Sequence, residues 1–289
     1  MSQNHPPTIP AVTGVLGGGR MGGGIAHALL IAGSTVTVVE RDDEAATIAR
    51  ERIERDLAAS VERGTVDSTF EELASRLTVS LEHADFAPAE LVVEAVPESW
   101  DLKVAALQEV ERHLSPTAWL ATNTSSLSVD GLAEQLARPE RFCGLHFFNP
   151  VPASKLVEVV ISKHTAPELK NLSVRWVQDL GKTPVVVHDA PGFASSRLGV
   201  AIAVEAIRMV EEGVASPTDI DNAMVLGYKF PVGPLALTDI VGLDVRLGIA
   251  EYLASTLGPR FEPPQLMRDM VDRGELGRKT GKGFFTYDD

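Results

Sequence analysis

The segment VTGVLGGGRMGGGIAHALLIAGSTVTVVE, residues 12–40, reads as a strand, a glycine turn, a helix and a second strand. Val12 to Leu16 is a short apolar run ending in glycines, which is typical of a buried parallel strand. Met21 to Ala32 has the apolar content of a helix and stops at Gly33, a residue favoured just after a helix end. Thr35 to Val39 is a β-branched run, so the segment predicts one βαβ unit.

The glycines between the first strand and the helix fit the spacing G-x-G-x-x-G, which in this position indicates a dinucleotide-binding turn. Gly17 is expected to make the tight turn, Gly19 to let the backbone approach a pyrophosphate, and Gly22 to let the helix pack close to the strand. The N–H groups at the start of the helix suit the phosphates. The predicted phosphate-binding turn comprises Gly17, Gly19, Arg20, Met21 and Gly22.

Glu40 ends the second strand, about 20 residues beyond the turn, where an acidic residue accepts hydrogen bonds from the ribose hydroxyls. Its charge would repel a 2′-phosphate, so the sequence predicts NAD rather than NADP. Arg41, next along the chain, is a mild indication of NADP instead. The alternative is a glycine-rich turn without a ligand, but the order of strand, turn, helix, strand and acid favours the nucleotide site.

Composition excludes several classes of function. The chain has 289 residues, which predicts two domains, and a net charge of -14, which disfavours nucleic acid and membrane surfaces as partners. Cys143 is the one cysteine, so we expect neither an internal disulfide nor a metal centre, and a reducing, cytoplasmic location fits. No apolar stretch approaches the length of a membrane span. Residues 1–10 lack signal-peptide features and are predicted to form a disordered tail.

Strand-like and helix-like segments continue to alternate up to residue 189. This alternation predicts an α/β fold with a Rossmann-type doubly wound, mostly parallel sheet over residues 11–189. From Phe193 onward the segments read as helices, with Gly227 to Pro234 as a connector. The predicted helices are Phe193 to Glu212, Pro217 to Leu226, Asp244 to Thr256 and Pro263 to Arg273. Residues 190–289 are therefore expected to form an all-helical C-terminal domain.

His146 ends an apolar strand, and Glu158 ends the short segment that follows. An imidazole is a suitable base for an alcohol near neutral pH, and a carboxylate on its other ring nitrogen would fix its tautomer. The pair indicates a catalytic dyad, although a histidine in an apolar stretch is often structural. Residues 123–126 follow another strand with an amide and hydroxyls; they could bind an alcohol or carbonyl, or cap a helix.

The chain resembles the NAD-dependent 3-hydroxyacyl-CoA dehydrogenases, including the 3-hydroxybutyryl-CoA dehydrogenases, from about residue 12 to the end. In the first part, the matching segments are residues 17–22, VVEAVPE at 92–98, NTSSL at 123–127, GLHFFNPVP at 144–152 and KLVEV at 155–159. Later come DAPGF at 189–193, GPL at 233–235, DIVGLD at 239–244 and KTGKGF at 279–284.

The resemblance implies roles for individual residues. His146 would be the general base that takes the hydroxyl proton while hydride leaves for the nicotinamide, Glu158 its orienting partner, and Ser125 a donor to the substrate oxygen. Residues implied near the nicotinamide half of the cofactor are Glu98, Lys103, Ser125, Asn149 and Lys279. Arg63 stands where the family has a lysine that meets CoA phosphates, but an exposed arginine on a helix is more often only solvated surface.

One position departs from the family pattern. After the segment 191–193 the family has asparagine followed by arginine, whereas this chain has Ser196 before Arg197. Serine keeps a donor and an acceptor but loses the length of the amide and its second donor. Loss of a transition-state donor could cost a few kcal/mol, by analogy with ~2.7–4 kcal/mol for an oxyanion-hole donor. Ser196 therefore bears on rate and substrate preference.

Three functions are compatible with these residues. The first is reversible oxidation of a short-chain L-3-hydroxyacyl-CoA, such as 3-hydroxybutyryl-CoA, by a homodimer whose C-terminal domain mediates dimerisation. Phe147, Phe148 and Phe230 could line its acyl pocket or belong to the core. The second is a relative that oxidises a hydroxy acid without CoA, of the sugar-acid or carnitine type. The third is a non-catalytic NAD-binding structural protein.

Overall fold

The computed structural model describes residues 8–287. Residues 1–7 of the predicted tail lie outside the described part, but residues 8–10 depart from that prediction. The backbone N–H and the hydroxyl of Thr8 donate to Asp179 Oδ2 at 2.6 and 2.8 Å, and Trp176 Nε1 donates to the Thr8 carbonyl at 3.1 Å. Ile9 is buried in the core. One carboxylate and one buried side chain thus fix this end of the chain.

The chain divides into two compact units, Met1–Asp189 and Ala190–Asp289. The first contains a sheet of eight strands in the order β3-β2-β1-β4-β5-β6-β7-β8, and six of the seven strand pairs are parallel. The strands are β1 (Val12–Leu16), β2 (Thr35–Val39), β3 (Leu77–Ser80), β4 (Leu91–Glu94), β5 (Trp119–Thr122), β6 (Phe142–Phe147), β7 (Leu156–Ile161) and β8 (Thr183–His188). The predicted α/β, Rossmann-type sheet is confirmed, and its order reverses between β1 and β4, the place where such folds bind ligands.

The helices of the first unit connect these strands. They are α1 (Arg20–Ile31), α2 (Asp43–Glu62), α3 (Phe70–Ala74), α4 (Trp100–His113), α5 (Val129–Ala133) and α6 (Pro167–Asp179). Ile25 and Leu29 of α1 pack with Val36 of β2 and Ile53 of α2 in the main core. The sequence did not predict α3, β3 or α5, each only four or five residues long, because so short a segment hardly shows a helical or strand period.

Strands β6 and β7 form the one antiparallel pair of the sheet among the described residues. Their register places His146 directly opposite Glu158, between the pairs Leu145–Val159 and Phe147–Val157. Directly opposed residues of an antiparallel pair project from the same face of the sheet and have Cβ atoms ~4.5–5.5 Å apart. The sheet itself therefore brings these two side chains together.

The second unit is helical. Its helices are α7 (Ser195–Glu211), α8 (Pro217–Asn222), α9 (Pro234–Val241), α10 (Leu243–Leu257) and α11 (Gln265–Asp272). The end of the predicted helix and the first connector residue, residues 223–227, form a π-helix, and α9 begins at Pro234, where the predicted connector ends. Buried Asp239 accepts hydrogen bonds from the Phe284 and Phe285 N–H groups and thereby anchors the final segment. Within residues 8–287 no helix is both long and apolar enough to cross a membrane.

The glycine turn provides a test of the packing of α1 on β1. A Cβ atom at Gly22 would lie 1.7 Å from the carbonyl oxygen of Gly17, so the turn would have to move, whereas a Cβ at Gly19 meets nothing within 4 Å. We expect Gly22→Ala to lower the free energy of unfolding by about 3 kcal/mol, the upper end for an overpacked site. The measurement is urea denaturation of both variants.

Gly19→Ala is the matched control, since its backbone angle φ of −58° suits alanine. Its free energy of unfolding should stay within about 1 kcal/mol of the unsubstituted protein. Equal stability of the two variants would contradict the close approach at Gly22.

Candidate active site

A cavity of about 700 Å³ opens at the carboxyl ends of β1, β2 and β4 in the first unit. Gly17, Gly19, Arg20 and Met21 of the predicted turn line it. So do Glu40, Glu98, Asn123 and Ser125. The residues predicted from the nucleotide motif and from the strand ends are therefore brought together at the switch point of the sheet.

The geometry of the turn fits a dinucleotide. Gly17 has φ +87°, a left-handed conformation that favours glycine, and its N–H donates to the Val39 carbonyl at 2.9 Å. Helix α1 begins at Arg20, so its N-terminus, where N–H groups and the helix dipole favour anions, lies at the cavity. The open space at Gly19 leaves room for a pyrophosphate against the backbone. Gly22 lies under the turn rather than on the cavity wall, as its close contact with Gly17 requires.

Glu40 is held in place at the ribose position. Its Oε1 accepts from the Gly18 N–H at 2.6 Å and its Oε2 from the Arg41 N–H at 3.2 Å. Arg41 also lines the cavity, but its exposed guanidinium pairs with Asp42 at 2.9 Å. The positive charge that would favour NADP is thus paired with a neighbouring carboxylate, which supports the NAD prediction.

His146 and Glu158 form a buried pair. His146 Nδ1 lies 2.8 Å from Glu158 Oε2, and the two residues are 5% and 0% exposed. The ring of Phe148 packs against the imidazole, with centroids 4.5 Å apart. An ionised carboxylate can only accept, so the proton of a neutral imidazole is on Nδ1 and Nε2 carries the lone pair. The arrangement can therefore present Nε2 as a base, with the imidazole oriented by Glu158 through Nδ1.

One side chain links this pair to the cavity. Asn123 lines the cavity, and its Oδ1 accepts from the backbone N–H of Phe147, next to the histidine, at 2.8 Å. The end of β5 is therefore tied to the end of β6. Sequence reasoning grouped Asn123 with its hydroxyl neighbours but missed this positioning contact, which no local pattern reveals.

Glu98 organises the segment after β5. Its Oε1 accepts from the Thr124 hydroxyl at 2.6 Å and from the Ser125 and Ser126 N–H groups, both at 2.9 Å. Burial opposes ionisation of Glu98, but the charge of Lys103 and these donors outweigh it, so the pKa of Glu98 lies below its ordinary value. Of the two interpretations of residues 123–126, helix capping fails, because the residue that caps α5 is Ser128.

Lys103, which the resemblance implies near the nicotinamide half, lies behind the cavity wall, and its role toward the cofactor remains a prediction. It is 1% exposed, and its Nζ contacts Glu94 Oε1 at 2.7 Å, the Val96 carbonyl at 3.1 Å and Glu98 Oε2 at 3.5 Å. The Thr122 hydroxyl donates to the other oxygen of Glu94 at 2.6 Å. Lys103 therefore acts on the cavity through Glu98 rather than from its surface, and its buried partner Glu94 was not singled out from the sequence.

Four other predicted residues are not among those that line this cavity. Asn149 is exposed beyond the end of β6, and exposed Arg63 follows α2, where it lines a separate cavity of about 410 Å³. Ser196 and Lys279 belong to the second unit, Ser196 in the first turn of α7 and Lys279 with its Nζ 2.6 Å from both carboxylate oxygens of Asp244. The functional roles of these residues remain predictions.

Two family models cover almost the whole chain. The NAD binding domain of 3-hydroxyacyl-CoA dehydrogenase matches residues 12–190, and the C-terminal domain of the same enzyme matches residues 192–287. The chain belongs to the 3-hydroxyacyl-CoA dehydrogenase family. This dehydrogenase is thus an NAD-dependent oxidoreductase, as the glycine turn and Glu40 predicted.

Individual relatives extend over the same length. A probable 3-hydroxybutyryl-CoA dehydrogenase of Deinococcus radiodurans is 40% identical over 275 residues, 95% of this chain and 99% of the relative. The crystal structure of an (S)-3-hydroxybutyryl-CoA dehydrogenase from Ralstonia eutropha has a TM-score of 0.91 at 36% identity and covers 96% of this chain and 99% of its own. A diketoreductase structure has a TM-score of 0.86 at 29% identity, covering 96% and 99%.

The buried lysine gives a stability prediction for this dehydrogenase. Lys103→Met keeps the length of the side chain but leaves the carboxylate of Glu94 buried without its cation. We expect the free energy of unfolding to fall by about 3–5 kcal/mol, as when one partner of a buried ion pair is removed. Guanidinium denaturation measures the change.

Lys163→Met is the control, because Lys163 pairs with Glu134 on the exposed surface. Its denaturation midpoint should match that of the unsubstituted protein. A Lys103→Met protein as stable as this control would show that the buried pair does not support the cavity wall.

Proposed function

We propose that this dehydrogenase oxidises short-chain L-3-hydroxyacyl-CoA thioesters, of which 3-hydroxybutyryl-CoA is the preferred one, to the 3-oxoacyl-CoA, reversibly and with NAD. The observation that carries the proposal is the buried His146–Glu158 pair at 2.8 Å, joined through Asn123 to the NAD cavity. The 3-hydroxybutyryl-CoA dehydrogenases of Deinococcus radiodurans and Ralstonia eutropha, similar over nearly their full lengths, support the substrate class.

In this proposal His146 is the general base. Its Nε2 accepts the proton of the substrate hydroxyl, and Glu158 stabilises the resulting imidazolium through Nδ1. Bound NAD supplies the hydride-transfer chemistry. Because both residues are buried, their attraction is stronger than in water, so the pair favours the charge separation that proton removal creates.

Other residues bind and orient in the same proposal. Ser125, whose backbone is held by Glu98, donates its hydroxyl to the substrate oxygen. Ser196 takes the place of the family asparagine as a second donor, directly or through a water. Asn149 and Lys279 contribute to the nicotinamide half of the site. Of these four residues, only Ser125 lines the described cavity.

Arg63 is proposed to meet the phosphates of CoA. Its cavity of about 410 Å³ is also lined by Lys182, which gives it two cations. Lys182 Nζ donates to the carbonyls of Val151 and Ser154, both at 2.6 Å, on the loop that follows β6. A basic cavity beside the loop that leaves the histidine strand suits an anionic substrate tail.

The test is steady-state oxidation of 3-hydroxyacyl-CoA thioesters of graded length, with NAD and NADP in parallel. We expect the highest kcat/KM for the four-carbon thioester with NAD. His146→Ala should lower kcat by about 10²–10⁴, the contribution of a general base, and leave the Kd of NAD unchanged. Glu158→Gln keeps the shape but loses the charge, and should lower kcat by up to about 10⁴.

Folded protein that binds NAD but oxidises none of the thioesters would refute the substrate class. Activity on hydroxy acids without CoA would then point to the second enzyme interpretation. Arg63→Ala separates the two as well, because it should raise the KM of the thioester and leave kcat unchanged only if CoA is bound there.

We further propose a homodimer formed through the second unit. This unit exposes several large apolar side chains, with Leu226 66% and Tyr228 75% exposed. The others are Leu198, Val214, Leu237, Ile240, Val241 and Val245. Apolar patches of this kind mark protein–protein contacts, so light scattering after size exclusion should give twice the chain mass of 31.0 kDa at micromolar concentration. A single-chain mass would contradict the dimer.

We also propose a reducing, cytoplasmic setting for the enzyme. Cys143, the one cysteine of the sequence, is buried in β6. Burial raises the pKa of its thiol to about 12, so it is a poor nucleophile toward disulfides. The fold thus relies on no oxidised cysteine.

A further inference from the structure

One wall of the NAD cavity is not explained by the glycine turn or by Glu40. Helix α4 contributes Leu102, Ala105, Ala106 and Glu109, spaced three or four residues apart on one helix face. His83, from the 3₁₀-helix His83–Phe86, completes this wall. The turn suits the pyrophosphate, Glu40 the ribose beside the adenine, and Glu98 and Ser125 are proposed for the nicotinamide half. The adenine base is therefore the part of NAD that remains for this wall.

Glu109 is the unexpected member of this wall. A carboxylate in a cavity for an anionic dinucleotide is unfavourable unless it meets a hydrogen-bond donor. Its Oε1 lies 3.1 Å from His113 Nε2, and its Oε2 contacts the Arg112 guanidinium. The hydrogen bond from His113, followed by that from Arg112, holds the pKa of Glu109 below its ordinary value. Each oxygen can still accept a further bond, so the side chain is oriented without being saturated.

His83 is held in place at the same wall. Its ring meets the ring of buried Phe86 edge to face at 6.5 Å and stacks with that of His113 at 6.4 Å and 20°. His113 therefore contacts both polar members of the wall. A fixed aromatic ring beside the alanines of α4 forms a flat surface suited to a purine.

We propose that Glu109 accepts a hydrogen bond from the 6-amino group of adenine while His83 packs against the base. The 6-amino group is the donor that the base offers when joined to its ribose. A 6-oxo purine in the same pose would instead place a carbonyl oxygen against the carboxylate, because its N1–H donor lies on the neighbouring ring position. The cavity is thereby selective for a 6-amino purine dinucleotide. This inference rests on NAD binding and is independent of the acyl substrate.

The test compares the Kd of NAD with that of nicotinamide hypoxanthine dinucleotide, which carries a 6-oxo group, by calorimetric titration of the full chain. We expect the unsubstituted protein to bind NAD about tenfold more tightly, as for a hydrogen bond to a charged group. Glu109→Gln should reduce the ratio to about twofold or less, because the glutamine amide can accept from an amino group or donate to a carbonyl.

Two further variants serve as controls. Asp101→Asn removes a charge from exposed surface of the same helix and should keep the tenfold ratio. His83→Ala should weaken both dinucleotides equally, by about fivefold, because stacking does not distinguish the two purines. Thermal unfolding checks that each variant is folded.

Equal affinities of the unsubstituted protein for the two dinucleotides would overturn the proposal, as would an unchanged ratio in Glu109→Gln. Because the titrations contain no acyl substrate, their outcome is separate from that of the thioester assay. A protein that fails to oxidise thioesters can still show the adenine selectivity, and the reverse also holds.

Discussion

The antiparallel register between β6 and β7 is the constraint on which the site depends. It sets His146 opposite Glu158 on one face of the sheet, with both side chains buried. A shift of the register by one residue would move the carboxylate to the other face. An unpaired buried carboxylate or imidazole is unfavourable, so the pair also stabilises the register that creates it. The arrangement proposed for proton transfer and the arrangement needed for folding are therefore the same.

A second buried ion pair supports the cavity from the other side. Lys103 joins Glu94 at the end of β4 to Glu98, and Glu98 in turn holds the backbone of Ser125 and Ser126. The bond from Phe147 to Asn123 connects this network to the histidine strand. Charges and hydrogen bonds thus fix the loops after β4 and β5 and tie them to the end of β6, while the apolar core beneath sets only the positions of the strands. A rigid site built on loops requires such contacts, because loops bury little apolar surface.

The structure confirms the predictions that rest on long local patterns and departs from those where the elements are too short to show one. The order of β1, the glycine turn, α1 and β2 is local, so residues 12–40 predicted the βαβ unit and the NAD cavity. The short elements β3 and α5 were missed because four or five residues hardly show a period. Helix α9 was missed beyond Pro234, since glycine and proline around its start indicated a connector.

The sequence by itself determined the fold class, the cofactor and the residue types of the dyad, because strand and helix periods and the G-x-G-x-x-G spacing are properties of neighbouring residues. Only the tertiary structure decided that β7 runs antiparallel, that Lys103 is buried against Glu94, and that Glu109 and His83 share one cavity wall. These contacts join segments far apart in the chain or depend on burial. Strand direction, desolvation and cavity shape are set by how the elements pack, and no local pattern records them.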